Sequence, residues 1–533
     1  MRNRTGWGTT KVLGVCLLGA PLLVTAVAGE PPPKGIELTP LGVYRTHLFD
    51  QGGAEIAAYD AATTRVFVVN LADVRIDVLD ISNPANPFLT LTLPVGAYGS
   101  QANSVAVHDG VIAVAVEGAV KTDPGKVVFF NAFGVALAVV DVGALPDMLT
   151  FSPNGRFVLV ANEGEPNQAY TIDPEGSISI IDLSGGVDHV TNAQVTTAGF
   201  GAFNGATLDP GIRVYGPGAT VAQDLEPEYI AISHDSRTAW VTLQENNALA
   251  MMDLVTKRVT DLIGLGVKNH QVAGHGLDAS DQDGVNSIHR WPVSGLYQPD
   301  AIAAFEHRGE SFLVTANEGD VREYDALPGG TEARRVSALT LDPIAFPSAA
   351  ALQASPALGR LNVTLFDGDT DGDGDYDRLF AFGARSFSVW NAAGRLVFDS
   401  GDALEQLTAR RHPAGFNASN TNNIRDSRSD DKGPEPEGLT VARVFGRLYL
   451  FVVLERIGGI AVYEIVNPAA PTFVQYINVR DFSAAPSSVD AGDLGPEGVI
   501  VIPAEQSPAG IPLLVVANEV SGTTRIYGIR PGK

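Results

Sequence analysis

Past residue 55 the chain is written as short apolar runs separated by turn residues, and the runs follow one grammar. Residues 146–183 give the clearest copy, PDMLTFSPNGRFVLVANEGEPNQAYTIDPEGSISIIDL. An alternating stretch, Met148 to Phe151, meets a turn at Asn154-Gly155, two residues that tolerate positive φ. Phe157 to Ala161 then runs through β-branched, aromatic and small residues and stops at Asn162-Glu163-Gly164. The pattern predicts a β-hairpin. After a loop, Ser177 to Leu183 alternates again and predicts a third strand, with a fourth to follow.

The grammar recurs seven times. First strands are entered at Glu55-Ile56, Asn103-Ser104, Asp147-Met148, Glu228-Tyr229, Asp300-Ala301, Glu437-Gly438 and Glu497-Gly498. Second strands end at Asn70, Glu117, Glu163, Glu245, Glu318, Glu455 and Glu519, and third strands read from IDVLDI through ISIIDL to TRIYGI. Repeats of three or four short strands at such spacing predict an all-β, seven-bladed β-propeller of WD40/YVTN-like repeat architecture. Residues 36–45 form a lone strand without a hairpin partner and are expected to close the last blade from outside. One domain is expected over residues 35–530, with insertions at 184–223, 268–298, 325–378 and 410–432.

Composition agrees with many short strands: 57 Gly and 33 Pro among 533 residues leave little room for long helices. Residues 1–28 read as a secretory leader, with Arg2, Arg4 and Lys11 before an apolar run and Ala26-Val27-Ala28 as the cleavage site. Gly14, Gly19 and Pro21 interrupt that run and argue against a membrane anchor. Cys16, the sole cysteine, lies inside the leader, so the mature chain is expected to carry no disulfide and no thiol chemistry. Losing the leader's three positive charges takes the formal net charge from -25 to -28. Such a surface repels nucleic acid and favours divalent cations. No second hydrophobic segment follows, and the expected product is secreted, extracellular or periplasmic, without a transmembrane segment.

The charge is not spread at random. In an antiparallel hairpin the residue entering the first strand lies beside the residue leaving the second. The two repeated positions are therefore expected to ring one face of the propeller with twelve carboxylates: Glu55, Glu117, Asp147, Glu163, Glu228, Glu245, Asp300, Glu318, Glu437, Glu455, Glu497 and Glu519. Lys121, Arg322 and Arg456 follow ring positions closely and are candidate neutralising or anion-contacting groups. Two readings stay open: the acids cap blade turns by accepting backbone N–H groups, or they form a metal-binding mouth. Oxygen donors without His or Cys suit Ca2+, with Mg2+ as the other option.

A second candidate is the run Asp367, Asp369, Asp371, Asp373, Asp375, Asp377, whose interleaved glycines resemble a calcium loop starting at Asp367 or Asp369. Neither register has Glu at its twelfth position, which argues against a paired-helix hand. A shorter relative spans residues 278–284, with Asp281 and Asp283 as candidate ligands. No Gly-x-Ser-x-Gly elbow or His-Glu-x-x-His motif is present, and the nine histidines are scattered.

Long phrases in fixed order, among them LPDMLTFSPNGRFVLVANEGEPN, VAQDLEPEYIAISHDSRTAWVTLQENNALAMMDL, GLDASDQDG and LVTANEGDVREY, resemble the choice-of-anchor I family. That family is similar to mesenchyme-specific cell-surface glycoproteins, and some bacterial members carry an alkaline phosphatase label. The resemblance implies a β-propeller and an extracytoplasmic location. Two functions fit the residues. One is a calcium-binding module for extracellular surfaces or matrix, including phosphate-bearing ligands. The other is a metal-dependent phosphoester hydrolase, resembling β-propeller phytases, with clustered carboxylates at the mouth.

Overall fold

The computed structural model describes residues 35–532; the expected leader lies outside them. Seven four-stranded antiparallel sheets make up the body. Five are uninterrupted meanders, as in Pro146–Phe151, Phe157–Asn162, Ser177–Asp182 and Val195–Gly199, and a sixth is a meander broken by an insertion between Glu310–Asn317 and Ser386–Asn391. The seventh joins the two ends of the described chain: Pro496–Ile502, Leu513–Asn518 and Thr523–Pro531 are completed by Ile36–Arg45, which pairs antiparallel with Thr523–Pro531 from Ile36↔Pro531 to Arg45↔Thr523.

Each sheet has apolar residues on both faces and cannot bury them alone. Neighbouring sheets therefore share apolar clusters, such as Leu159, Ile180 and Phe200 against Val241 and Met252 between the third and fourth sheets. Val66 and Val68 of the first sheet likewise meet Leu513 and Val515 of the last. First strands pack on first strands in order around the molecule, and Pro496–Ile502 packs on Ala57–Asp60. This is a β-propeller arrangement. Burial of Phe67, Phe129 and Phe451, all fully enclosed, is worth about 2–3 kcal/mol each by transfer alone.

The first strands converge so closely that a side chain cannot fit everywhere. A Cβ on Gly438 would stand 1.8 Å from the carbonyl oxygen of Glu497, and the amide of Gly498 donates to the carbonyl of Glu55 at 3.1 Å. The sequence Pro-acid at the strand entry has a structural reason too. Pro146, Pro227, Pro436 and Pro496 each pair with the end of the second strand, and the register then slips before Leu149, Ile230, Leu439 and Val499. A bulge re-aims the side chains it contains, and here it contains Asp147, Glu228, Glu437 and Glu497. Proline is tolerated because it opens the strand. Leu145 and Glu435, before two of these prolines, sit at φ 47° and 50°, a left-handed conformation that costs about 1–2 kcal/mol outside glycine.

The insertions differ from expectation at their edges. Residues 184–223 include Val195–Gly199, which is the outer strand of the third sheet rather than part of an excursion. Phe380–Ala381 does not resume the fifth sheet; it pairs parallel with Ser294–Leu296, which also pairs with Val267–Asn269. The fifth sheet resumes at Ser386–Asn391. Together with the ribbon Ala333–Arg335/Asn362–Thr364, these segments enclose a satellite core around Val336, Leu358, Leu361 and Val363. No helix among the described residues is long and apolar enough to cross a membrane.

Asparagines hold the mouth end of several sheets. Asn162 Nδ2 donates to Ser177 Oγ and Ser179 Oγ at 3.2 and 3.0 Å, and Asn317 Nδ2 reaches Ser386 and Ser388 in the same way. Each immediately precedes a ring acid. Asn162→Ala strands two buried hydroxyls and is expected to lower unfolding free energy by about 1–3 kcal/mol, read from the urea midpoint at unchanged slope.

Candidate functional site

The bulges and strand ends bring nine of the twelve ring carboxylates into three triads: Glu55, Glu497 and Glu519; Asp147, Glu163 and Glu228; Glu318, Glu437 and Glu455. Within each triad, one oxygen per residue lies within 4.8 Å of the others. A cavity of about 320 Å³ opens beside the first two, lined by Glu55, Glu117, Asp147, Glu163, Asp300 and Glu497. Asp300 stands among the triads, since its charge acts on Glu228, Glu437 and Glu497. Glu245 faces Glu226 and Asp320 instead, and its Oε2 is buried without a hydrogen-bond donor.

The three triads differ in their counter-charges. Lys432, from the loop that precedes the sixth sheet, donates to Glu318 and to the carbonyl of Gly319 and stands 3.2 Å from Glu435. Gln244 Nε2 donates to the other oxygen of Glu318 at 2.9 Å. Arg456 Nη1 reaches Glu455 at 2.9 Å, and its Nε reaches Glu435 at 2.9 Å. Against its burial, Lys432, Arg456 and Arg428 hold the Glu435 carboxyl well below the usual range. The third triad thus carries tethered cations.

The first two carry none. Glu55, Glu497, Asp147, Glu163 and Glu228 form no ion pair among the described residues, and every neighbour that shifts them is another acid. Glu519 alone feels a cation, Arg456, against its burial. Burial, then Glu165, pushes Asp147 up to about 7. Burial, then Asp147 and Glu165, pushes Glu163 well above the carboxylate range, and Glu228 follows for the same reason. Carboxyls in this state hold protons or a metal ion. Oxygen-only donors, several to a site, fit Ca2+ and exclude the thiolate or imidazole shell of zinc.

Of the three expected basic neighbours, only Arg456 touches a ring acid. Lys121 pairs with Glu165 and acts on Glu117 only through its charge. Arg322 is spent on Asp224 at 2.7 Å and Glu226 at 2.8 Å. Lys432, absent from the sequence-derived candidates, does what they were expected to do.

The aspartate run divides. Asp367 is taken by Arg213 Nε at 2.8 Å, which removes the register starting there. Asp369, Asp371 and Asp377 gather within 4.8 Å, and Asp375 and Asp377 gather with Asp342, a residue the sequence pattern did not flag. Asp373 instead caps the amide of Asp375. In the shorter loop, Asp281 is held bidentate by Arg360 at 2.8 and 3.1 Å, and Asp283 caps the amide of Val285. Those engagements disfavour Asp281 as a ligand. His270 is buried on the carbonyl of His275 through Nδ1, and burial, then Lys268, keeps it neutral.

Residues 55–468 match the choice-of-anchor I domain. The chain belongs to the choice-of-anchor I family. Gigasin-3a of Magallana gigas is 33% identical over 195 residues, which cover 34% of this chain and 67% of that protein. A mesenchyme-specific cell surface glycoprotein of Strongylocentrotus purpuratus is 29% identical over 295 residues, covering 49% of this chain but only 37% of that protein. The Cps50 (Swd1) β-propeller domain of Myceliophteria thermophila superposes with a TM-score of 0.42 at 8% identity, over 92% of this chain and 99% of that one. The choice-of-anchor I span contains ten of the twelve ring acids; Glu497 and Glu519 lie beyond it.

The raised carboxyls give a signed pH dependence. A group that binds its proton more tightly when folded destabilises the fold as pH rises from its unfolded to its folded value. For Asp147 that window runs from 3.8 to about 7. In chelator, unfolding free energy is therefore expected to fall between about pH 4 and pH 7, and Asp147→Asn to flatten that slope, as read by urea denaturation at each pH.

Proposed function

We propose that the chain is an extracellular, surface- or matrix-associated propeller of seven blades that binds calcium at its axial mouth. The observation that carries this reading is the pair of cation-free triads, Glu55/Glu497/Glu519 and Asp147/Glu163/Glu228, set around one cavity. Two negative clusters without an ion pair among the described residues, only Glu519 feeling a cation at a distance, would be satisfied by divalent cations, and Ca2+ accepts six to eight oxygens in irregular geometry. Mg2+ is the weaker fit, since it demands a near-octahedral shell.

Seven sheets, each packed on the next, are the basis for reading seven blades. The extracellular placement rests on the leader-like residues 1–28 and on the likeness to a mesenchyme-specific cell surface glycoprotein. Asp369, Asp371 and Asp377 are proposed as a separate, exposed calcium loop. The ligand at the mouth is a cation, or a phosphate-bearing or matrix molecule held through it. The excess of acid over base argues against nucleic acid.

A second reading, a metal-dependent phosphoester hydrolase, draws on the two triads sharing one open cavity, as a two-metal site requires. The protein groups would hold the ions and leave the cavity for the phosphoester. No ring residue stands out as a dedicated nucleophile or base.

Calcium content after dialysis, measured by elemental mass spectrometry, tests the reading. Glu163→Gln and Glu497→Gln are each expected to lower it by about one ion per chain, and Glu455→Gln, in the triad that already has Arg456, to leave it unchanged. A parent protein without bound calcium, or full content in both cavity variants, would sink the proposal. An activated phosphoester should not be turned over by the parent; calcium-dependent turnover reduced about a hundredfold by Glu163→Gln establishes the hydrolase instead.

A further inference from the structure

Behind the third triad, which it reaches through Asn420 on Glu455 and Lys432 on Glu318, the loop of residues 412–432 meets the helix Ala403–Arg411 and the loop of residues 278–287. Glu405, Asn417 and Asp426 sit there at 1%, 0% and 2% exposure. One hydrogen-bonded chain joins them. Asn417 Nδ2 donates to Glu405 Oε1 and to Ser429 Oγ, both at 2.9 Å, and Ser429 Oγ donates to Asp426 Oδ1. Because the amide nitrogen is spent on both bonds, Asn417 Oδ1 is left over; so are Glu405 Oε2 and Asp426 Oδ2. Three oxygens that can only accept are thus buried in one network without a donor.

The charge is unbalanced as well. Asp278, at 0% exposure, accepts the Ser287 amide, and the charges of Asp426 and Glu405 reach it. Against these three carboxyls stands Arg385, whose Nη1 bonds Glu405 Oε1 at 2.7 Å and whose other bonds go to the carbonyls of Asp278, Ser429 and Asp431. Arg425, bonded to Asn286 at 3.3 Å, touches none of them and acts on Asp426 only through its charge. Water could donate to the free oxygens and protons could neutralise Asp278 and Asp426, which burial pushes up to about 8 and about 6; a divalent cation would satisfy the oxygens and the charge together. Asn417 and Asp426 also hold φ of 43° and 74°, strain that persists only where the surroundings fix it.

We propose that this buried network binds one calcium ion through Glu405 Oε2, Asn417 Oδ1 and Asp426 Oδ2, with Asp278 as a further ligand, and that the ion fastens the two inserted loops together. The donor set is oxygen only, as calcium prefers. The three carboxylates do not all lie within 4.8 Å of one another as the mouth triads do. Binding therefore draws the loops inward, and tightening is the signature to look for.

The test is hydrogen exchange of the full chain, with calcium and with chelator, alongside calcium content. In the parent, calcium is expected to slow exchange across residues 278–287 and 412–432. Asp426→Asn should abolish that slowing and weaken binding about tenfold or more at one site, whereas Glu163→Gln at the mouth should preserve it. Calcium-independent exchange in the parent overturns the proposal. So does an Asp426→Asn protein that keeps both full calcium content and the slowing, or loss of the slowing in Glu163→Gln. Should Asp426→Asn fail to fold, the parent measurement and the Glu163→Gln control still decide.

Discussion

A four-stranded sheet with apolar residues on both faces is insoluble by itself, and the rest of this molecule follows from that constraint. Each sheet hides its faces on two neighbours, so the sheets share clusters such as the one running from Leu159 to Met252. Packing in series brings the first strands together. At that point the backbones touch: Gly438 and Gly498 lie against the carbonyls of Glu497 and Glu55, where no side chain fits. Side chains at strand entries and exits have nowhere to go but the mouth. Convergence forced by apolar packing thus crowds whatever those positions encode, and here they encode carboxylates.

Crowded acids oppose the packing that gathers them, because each buried charge raises the cost of ionising the next. The chain answers this unevenly. Around Glu318 and Glu455 it supplies Lys432, Arg456 and the amide of Gln244. Around Asp147, Glu163 and Glu228 it supplies nothing positive, although Lys121 lies near enough to pair with Glu165. The third triad is partly neutralised, since Glu318 and Glu455 have cationic partners, while Glu437 Oε2 and Glu455 Oε2 stay buried without a donor. The other two border the cavity, and this difference divides residues that look alike in the repeat.

Local features of the sequence carried most of the architecture. Period-two alternation, Asn-Gly turns and Pro-acid entries are all set by residues within one hairpin, and the strands and the crowding of the acids follow from them. What the sequence concealed is paired over distance. Lys432 meets Glu318 across 114 positions, Asp281 meets Arg360 across 79, and Asp367 meets Arg213 across 154. A candidate ligand already held by arginine looks identical, in sequence, to a free one. The same blindness hid the Glu405–Asn417–Asp426 network, since its members carry no spacing of a known loop and become a group only when the insertions fold against each other. The end of the insertion at residue 378 is equally hard to read, because the two-residue strand Phe380–Ala381 that follows it pairs with Ser294–Leu296 and not with the fifth sheet.

The triad Glu55/Glu497/Glu519 ties charge to topology. Glu55 opens the first sheet, and the other two acids belong to the last, so this cluster straddles the seam where the chain's two ends meet. At the rim the seam is zipped by Ile36–Arg45 on Thr523–Pro531; at the axis it has the single bond from Gly498 N to Glu55 O. Repulsion among the three carboxyls acts on that axial end, where backbone pairing is thinnest. An ion bound there would remove the repulsion and stabilise the seam by linkage. The rim would be unaffected. Cation binding at this triad and sheet-to-sheet closure would then be one equilibrium.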